Sequence, residues 1–341
     1  MTSFYPDFDL SNRNTFRMRV RCALYVEITE EADLPALDWA ALPQPVLVMG
    51  GGSNLLFTKD FPGTVLHVGI TGQVLSGEGQ EILLTCGAGT VFDEFCAWVA
   101  KEGLWGPENL SLIPGEVGAS AVQNIGAYGV EAKDIIADIR AWDRLEGRFV
   151  HIDPASCAYG YRSSKFKTEW KGRYLIIAVT YRLSREPRPI LDYGGIRKAL
   201  EGSTSITPQL IRDTIIDIRR QKLPDPAEVG SAGSFFCNPV IGREHFERIQ
   251  AVARREKGPD YAVPHFDTPD GVKVPAAWMI EQCGFKGVRN GGAQVYQNQP
   301  LVIVNESGSA TPEDILGLER QIISAVRDRF AVTLHPEVEH V

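Results

Sequence analysis

The sequence lacks the features that mark several classes of protein. Its 35 lysines and arginines are outnumbered by 43 aspartates and glutamates, giving a net charge of -8, which argues against a nucleic-acid-binding surface. No apolar run approaches the roughly 20 residues of a membrane span, and the N-terminus has no charged-then-apolar signal pattern. The sequence therefore predicts a globular cytoplasmic protein with no nucleic-acid partner and no membrane insertion.

Metal-binding and disulfide patterns are also missing. The six cysteines are scattered and form no CxxC pair, so neither a zinc site nor a disulfide framework is indicated. The C-terminal HPEVEHV (335–341) contains histidines and glutamates, but alternation along a strand leaves one histidine with two carboxylates on a face. That set does not favour a metal ion, and we predict none.

The pattern of apolar residues changes along the chain. A length of 341 residues suits two or three domains. Strand-like segments occur mostly early in the chain, at 64–70, 81–89, 148–153 and 173–183, with one more at 299–306. Helical patterns occur mostly in the second half, at 207–222, 243–258, 276–284 and 311–330. This order predicts an α+β protein with at least two domains.

One earlier helix is predicted immediately after the second strand segment. Thr90 is in position to cap it, with Asp93 three residues later completing a capping box. Phe92, Phe95 and Val99 follow at helical spacing, and Gly103 is suited to end the helix.

Two glycine-rich stretches suggest a cofactor site. GGGSN (50–54) follows an apolar strand, but the third glycine of a dinucleotide fingerprint is replaced by Leu55 and no helix pattern follows. Consecutive glycines either form a tight loop between strands or leave amides that bind a pyrophosphate. The second stretch, IPGEVGASAVQNIGAYG (113–129), favours the binding role, because a large planar cofactor needs more than one backbone surface.

A third small-residue stretch, GSAGSFFCNP (230–239), contains Ser234. Glycine allows close backbone approach and unusual dihedral angles, so this segment makes a tight turn or delivers the serine hydroxyl into a site. No histidine lies nearby to activate the serine as a nucleophile, which favours a different role for it.

Five motifs occur in an order that resembles the UDP-N-acetylenolpyruvoylglucosamine reductase family. They are GGGSNLL (50–56), IPGEVGASAVQNIGAYGVE (113–131), YGYRSSKFK (159–167), GSAGSFFCNP (230–239) and PEV (336–338). The resemblance extends over about residues 14–338. The YGYR stretch and a separate Tyr193-Gly194 pair resemble the subclass with an extra tyrosine loop over the substrate.

The resemblance implies a domain plan. Residues 1–200 are expected to form an FAD-binding domain of the vanillyl-alcohol oxidase type, with lobes of about 1–68 and 69–200. Residues 201–330 would form a smaller α+β substrate-binding domain. Residues 331–341 would be a tail that returns to the active site with Glu337.

The resemblance also implies non-covalent FAD, with NADPH as the hydride donor. The FAD pyrophosphate is expected to lie against Gly50, Gly51, Gly52, Ser53 and Asn54. The isoalloxazine and ribityl groups are expected along Gly118, Ser120, Gln123, Asn124, Gly126 and Ala127.

The family reaction reduces the enolpyruvyl ether of UDP-N-acetylglucosamine to UDP-N-acetylmuramate, a peptidoglycan precursor. By resemblance, Ser234 protonates the enolate carbon, a role that needs no histidine base. Arg162 and Glu337 stabilise the enolate, and Glu337 must hold a proton to do so. Substrate-binding roles are implied for Tyr128, Tyr161, Tyr193, Arg219, Lys222, Asn238, Lys286 and Gln299.

Two other functions remain open at this point. A flavin-dependent alcohol oxidase of the same fold would need no anionic-nucleotide pocket and would typically carry a covalent flavin link. A non-catalytic flavin- or nucleotide-binding paralogue would be expected to lose catalytic side chains first, yet Arg162, Ser234 and Glu337 are all present. The sequence gives no indication of the oligomeric state.

Overall fold

The computed structural model describes the whole chain, Met1–Val341. The chain forms two compact units. Unit 1 contains residues 1–10, 20–52 and 60–221, and unit 2 contains residues 11–19, 53–59 and 222–341. None of the helices combines the length and apolar character that crossing a membrane requires.

The strands, in chain order, are β1 (Thr2–Asp9), β2 (Arg21–Ile28), β3 (Val46–Val48), β4 (Leu55–Leu56), β5 (Phe61–Val68), β6 (Gln73–Ser76), β7 (Glu81–Gly87), β8 (Gly126–Ala127), β9 (Val130–Glu131), β10 (Ile136–Asp143), β11 (Arg148–Ile152), β12 (Tyr174–Ser184), β13 (Gly230–Ser234), β14 (Val240–Ile241), β15 (Phe266–Thr268), β16 (Gly271–Lys273), β17 (Arg289–Asn290), β18 (Ala293–Val295), β19 (Val302–Asn305) and β20 (Glu339–His340). The α-helices are α1 (Phe92–Lys101), α2 (Val117–Gln123), α3 (Ile196–Ala199), α4 (Pro208–Lys222), α5 (Arg243–Lys257), α6 (Ala276–Gln282) and α7 (Pro312–Phe330).

Unit 1 contains two sheets. The first has the order β1-β2-β5-β3, in which β5 runs parallel to both β2 and β3. The second is antiparallel, with the order β11-β10-β12-β7-β6. The four strand segments predicted between residues 64 and 183 correspond to β5, β7, β11 and β12, so those predictions are confirmed.

Helix α1 is present, but its predicted cap is wrong. The N-cap residue is Val91, which makes no side-chain cap, and the buried Thr90 hydroxyl has no hydrogen-bond partner. Asp93 instead accepts two hydrogen bonds from Arg212 at 2.5 and 2.8 Å. A buried guanidinium binds a carboxylate more strongly than a backbone amide does, and the sequence pattern did not show that Arg212 would be close.

The glycine-rich segment at 113–129, which has no clear period, contains the short helix α2 and the β8–β9 hairpin. Gly118 allows α2 to pack closely against Ala88, the residue after β7. A Cβ at position 118 would be only 2.9 Å from the Ala88 Cβ, which is too close for a larger residue. Close packing therefore explains part of this small-residue composition.

Helix α4 belongs to unit 1. Its Ile211 and Ile215 are fully buried with Trp105 and Ile196 in a separate hydrophobic cluster. The compact unit consequently continues to residue 221, beyond the division predicted at residue 200. The predicted boundaries divide the chain by what each domain binds, and that division stays a prediction.

Unit 2 is built on the antiparallel sheet β13-β19-β18-β17. Helix α7 packs on this sheet and against α6, and the small sheet β14-β16-β15 lies in the same unit. The last strand, β20, pairs in parallel with β4. The predicted helices of the second half are confirmed as α4, α5, α6 and α7.

Candidate active site

The two glycine-rich stretches come together in unit 1. A Cβ on Gly50 would lie 3.0 Å from a carboxylate oxygen of Glu116, and one on Gly51 would lie 3.7 Å from the Gly115 Cα. The amides of Gly50, Gly51 and Gly52 donate to no protein acceptor, and Gly52 has a φ of 63°. Unused amides in a turn of this kind bind phosphate oxygens, so the loop fits the predicted FAD diphosphate.

Two residues predicted to contact the flavin also support α2. The Ser120 hydroxyl is buried and donates to the Val117 carbonyl at 2.7 Å, with the Tyr181 hydroxyl at 2.8 Å. Gly118 donates its amide to the Ala88 carbonyl at 2.9 Å. These contacts fix the position of α2 on the antiparallel sheet; the flavin contacts themselves stay predictions.

Asn124 connects the second glycine-rich stretch to the YGYR motif. It is the left-handed residue after α2, with φ 45° and ψ 57°. Its side-chain amide donates to Glu131 at 3.0 Å and to the Gly160 carbonyl at 2.8 Å, and its oxygen accepts from the Lys133 amide at 3.0 Å. Because both polar atoms of this buried side chain bind other parts of the protein, we expect any contact of Asn124 with FAD to involve its backbone.

Arg162 lies against the same stretch. Its guanidinium donates to the carbonyl of Gly126, and to that of Asn124 at 3.4 Å. A Cβ on Gly126 would be 2.9 Å from Nη1 of Arg162, so the glycine allows the guanidinium to approach the predicted flavin segment. Arg162 itself has a φ of 53°, a region in which non-glycine residues are strained and often functional. Its guanidinium also lies 5.2 Å from the ring centroid of Tyr161.

Lys167 is a site residue that the sequence reasoning missed. Its Nζ donates to the side-chain oxygen of Gln123 at 2.9 Å and to the Arg162 carbonyl at 3.1 Å. It therefore connects a predicted flavin contact to the predicted catalytic arginine. Its position five residues after Arg162 in the quoted motif was the only signal for it.

Unit 1 also contains a second arginine, Arg219, whose pKa is influenced by the charge of Arg162. Burial lowers the pKa of Arg219, and the positive charge of Arg162 lowers it further. The Tyr128 and Asp93 side chains raise the pKa but do not outweigh burial. The Nε of Arg219 is buried with no hydrogen-bond partner. Two nearby guanidinium groups, one with an unused buried donor, favour an anionic ligand.

The two tyrosine–glycine pairs interlock. The Tyr193 ring occupies the space beside Gly129, where a Cβ would be 2.3 Å from the ring. The Tyr128 ring likewise covers Gly194, where a Cβ would be 2.4 Å away. Buried Asn109, another residue that the sequence reasoning missed, donates to the carbonyls of Tyr128 and Ile190 at 2.8 and 2.9 Å. The structure thus fastens the predicted tyrosine loop to the second glycine-rich stretch.

Unit 2 brings together the two predicted proton-handling segments. Ser234 ends β13, directly after Gly233, which has a φ of 70°. The amide of Glu337 donates to the Phe235 carbonyl at 2.8 Å. Asn54 donates its side-chain amide to the Glu337 carbonyl at 3.0 Å, and its own carbonyl accepts from the Glu339 amide at 3.0 Å. The tail that carries Glu337 is therefore fixed from two sides.

The other predicted substrate residues of unit 2 belong to different parts of the chain. Asn238 accepts a hydrogen bond from the Ala276 amide at 2.9 Å, at the start of α6. Lys286 pairs with Glu281 at 3.5 Å, and its side chain is 41% exposed. Gln299 is half-buried, and Lys222 is exposed. Their roles stay predictions.

Two stretches of the chain match known domain families. Residues 23–153 match an FAD binding domain, and residues 225–341 match the C-terminal domain of UDP-N-acetylenolpyruvoylglucosamine reductase. The solved UDP-N-acetylenolpyruvylglucosamine reductase from Thermus caldophilus has the same fold, with a TM-score of 0.66 at 22% identity, covering 100% of this chain and 98% of that one. The predicted α+β fold, an FAD-binding domain with a reductase C-terminal domain, is confirmed.

Full-length relatives are considerably closer in sequence. The UDP-N-acetylenolpyruvoylglucosamine reductase of Bacteroides fragilis (strain YCH46) is 44% identical over 98% of this chain and 99% of its own length. Those of Porphyromonas gingivalis (strain W83) and Chromobacterium violaceum are also 44% identical, each over 98% of this chain, covering 98% of their own lengths. The chain belongs to the UDP-N-acetylenolpyruvoylglucosamine reductase family.

Proposed function

We propose that this flavin-dependent oxidoreductase reduces the enolpyruvyl ether of UDP-N-acetylglucosamine to UDP-N-acetylmuramate, with NADPH as reductant. The assignment of this substrate is supported by relatives named UDP-N-acetylenolpyruvoylglucosamine reductase, which align with this chain over nearly their whole length. The observation that carries the mechanism is the hydrogen bond from the Glu337 amide to the Phe235 carbonyl at 2.8 Å. It brings together two segments about a hundred residues apart, each with a predicted proton-handling side chain.

FAD, when bound, supplies the hydride that it takes from NADPH. The chain's own task is to bind, orient and handle charge. The amides of Gly50, Gly51 and Gly52 are available to the FAD diphosphate, since no protein acceptor uses them.

The substrate is anionic at both ends. Arg162 would hold the enolpyruvyl carboxylate, and charge-assisted hydrogen bonds of this kind strengthen as negative charge builds up in the transition state. Arg219 would hold the UDP diphosphate, which is supported by its buried, unused Nε.

Hydride addition to the vinyl CH₂ carbon leaves negative charge on the neighbouring carbon and its carboxylate. The Ser234 hydroxyl then gives its proton to that carbon, forming the new C–H bond, and the serine recovers a proton from solvent. Glu337, in its protonated form, would donate a hydrogen bond to the enolate oxygen. This division of work is supported by the contact between the two segments and by the small residues that precede Ser234.

The test separates the two half-reactions under anaerobic conditions. With Ser234→Ala, NADPH should still bleach the flavin at the wild-type rate, whereas reoxidation by the enolpyruvyl substrate should slow by about 10²–10⁴-fold, the range for loss of a general acid. Ser231→Ala is the matched control, because Ser231 lies in the same strand and is buried. Equal losses in both half-reactions would mean that Ser234 holds the flavin rather than protonating substrate.

An alcohol oxidase would behave differently in the same apparatus. Its reduced flavin would stay reduced with the enolpyruvyl substrate, and small alcohols would drive oxygen consumption. The tyrosine-loop subclass and the cytoplasmic location remain predictions.

A further inference from the structure

A buried histidine lies between two carboxylates beneath the glycine loop of unit 1. His67, on the central strand β5, is 7% exposed. Its Nε2 lies 3.1 Å from both carboxylate oxygens of Glu116, and its Nδ1 lies 3.3 Å from Oε1 of Glu27. Glu27 is the register partner of His67 across the β2–β5 pair. None of these three residues has a role in the proposed reaction.

The geometry requires a charged imidazole. Both ring nitrogens face carboxylate oxygens, and a carboxylate can only accept a hydrogen bond. A neutral imidazole would therefore leave a lone pair against a carboxylate. Burial lowers the pKa of His67, but Glu116 and Glu27 outweigh this effect and raise the pKa. Besides these two carboxylates, the Tyr25 ring is the titratable group that stacks near the imidazole, at 6.4 Å between centroids.

Glu116 connects this cluster to the loop. It occupies the N-cap position of α2 but makes no side-chain cap, so its carboxylate is directed at His67 rather than at the helix amides. The same carboxylate lies 3.0 Å from the Cβ position of Gly50 and 3.8 Å from that of Gly51. A larger residue at Gly50 would press on the carboxylate, and a carboxylate without a counter-charge here would repel a bound diphosphate.

We infer that His67 is a positioning residue for FAD: it holds Glu116 beneath the Gly50–Gly51 loop and balances the charge that the FAD diphosphate would otherwise meet. The inference rests on the predicted diphosphate site at that loop. None of the three residues is among those predicted to contact the flavin ring or the substrate.

The consequence is a pH dependence of FAD affinity. The diphosphate is fully ionised at neutral pH, so it favours the charged imidazole. Affinity should be full while His67 is protonated and should fall as the pH rises through the raised pKa of His67. A coupling of this kind between neighbouring sites changes affinity by about 5–150-fold.

The experiment is a fluorescence titration of apoprotein with FAD between pH 6 and 9, accompanied by circular dichroism of each apoprotein. In His67→Gln we expect FAD to bind at least about ten-fold more weakly at pH 6 and with little dependence on pH. His151→Gln is the matched control, because His151 pairs with Asp138 at 2.7 Å on an exposed strand of the same unit. The control should keep the wild-type affinity and pH profile.

Glu116→Gln tests the inference even if His67→Gln fails to fold. Losing one carboxylate lowers the pKa of His67, so the fall in FAD affinity should begin at a lower pH than in wild type. An unchanged profile in this variant would overturn the inference, as would wild-type affinity that does not vary with pH. Failure of wild-type apoprotein to bind FAD at any pH would instead refute the FAD site itself.

Discussion

Replacement of Asn124 should separate the two things that this residue does. Its side chain is completely buried and makes three hydrogen bonds, to Glu131, Gly160 and the Lys133 amide. Its backbone is left-handed. Asn124→Gly removes the side-chain hydrogen bonds, but glycine adopts the left-handed conformation without strain. Asn124→Ala removes the same hydrogen bonds and also strains the left-handed backbone.

The magnitudes follow from these contacts. Three hydrogen bonds at about 1 kcal/mol each predict a loss of about 3 kcal/mol in the free energy of unfolding for Asn124→Gly. Alanine in a left-handed conformation costs a further ~1–2 kcal/mol, partly offset because glycine gains about 0.4–1 kcal/mol more freedom in the unfolded chain. Asn124→Ala should therefore be less stable than Asn124→Gly by about 0–1.6 kcal/mol.

Urea unfolding of the apoproteins, followed by circular dichroism and tryptophan fluorescence, measures these losses. Since the chain has two compact units, the transition of unit 1 must be analysed separately from that of unit 2. Both variants should also bind FAD more weakly, because Asn124 fastens the second glycine-rich stretch to Gly160. Losses below about 0.5 kcal/mol in both variants, or an alanine variant more stable than the glycine variant, would refute this reasoning.

Two further variants test other contacts of unit 1. Gly129→Ala should displace the Tyr193 ring and raise the KM for the enolpyruvyl substrate. The control Gly172→Ala has a similar φ of 76° but open space around it, so it should affect stability only. A Gly129→Ala variant with the wild-type KM in steady-state kinetics would count against the interlock. Burial raises the pKa of Asp93, but hydrogen bonds from Arg212 and a backbone amide outweigh it, so the pKa is lowered. Asp93→Asn should then lose about 2 kcal/mol at pH 7, less than the ~3–5 kcal/mol of a fully buried pair because Asp93 is partly exposed. The deficit should begin to shrink as the pH falls below about 4, the ordinary pKa of an aspartate in the unfolded chain, and should vanish once the pH is below the lowered pKa of the folded wild-type carboxylate. A deficit that persists there would contradict the ion-pair explanation.

The sequence by itself determined the elements and the family. The helical period located α7, and the structure shows a capping box at its start, where Thr311 accepts from the Asp314 amide. Alternating and apolar runs located β12 and its neighbours, since burial of one or both faces leaves a local signature. The order of five short motifs identified the family because each motif requires particular small or charged residues at fixed spacing.

Contacts between distant segments were decided only by the tertiary structure. The same local rules wrongly assigned Asp93 to a capping box, because the guanidinium of Arg212, more than a hundred residues away, takes its carboxylate. Lys167 and the His67–Glu116 pair were invisible for the same reason: a hydrogen bond or ion pair depends on distance in space, whereas motif and period describe only distance along the chain. The sequence thus specified which side chains are available, and the packing of β5 and α2 determined which of them meet.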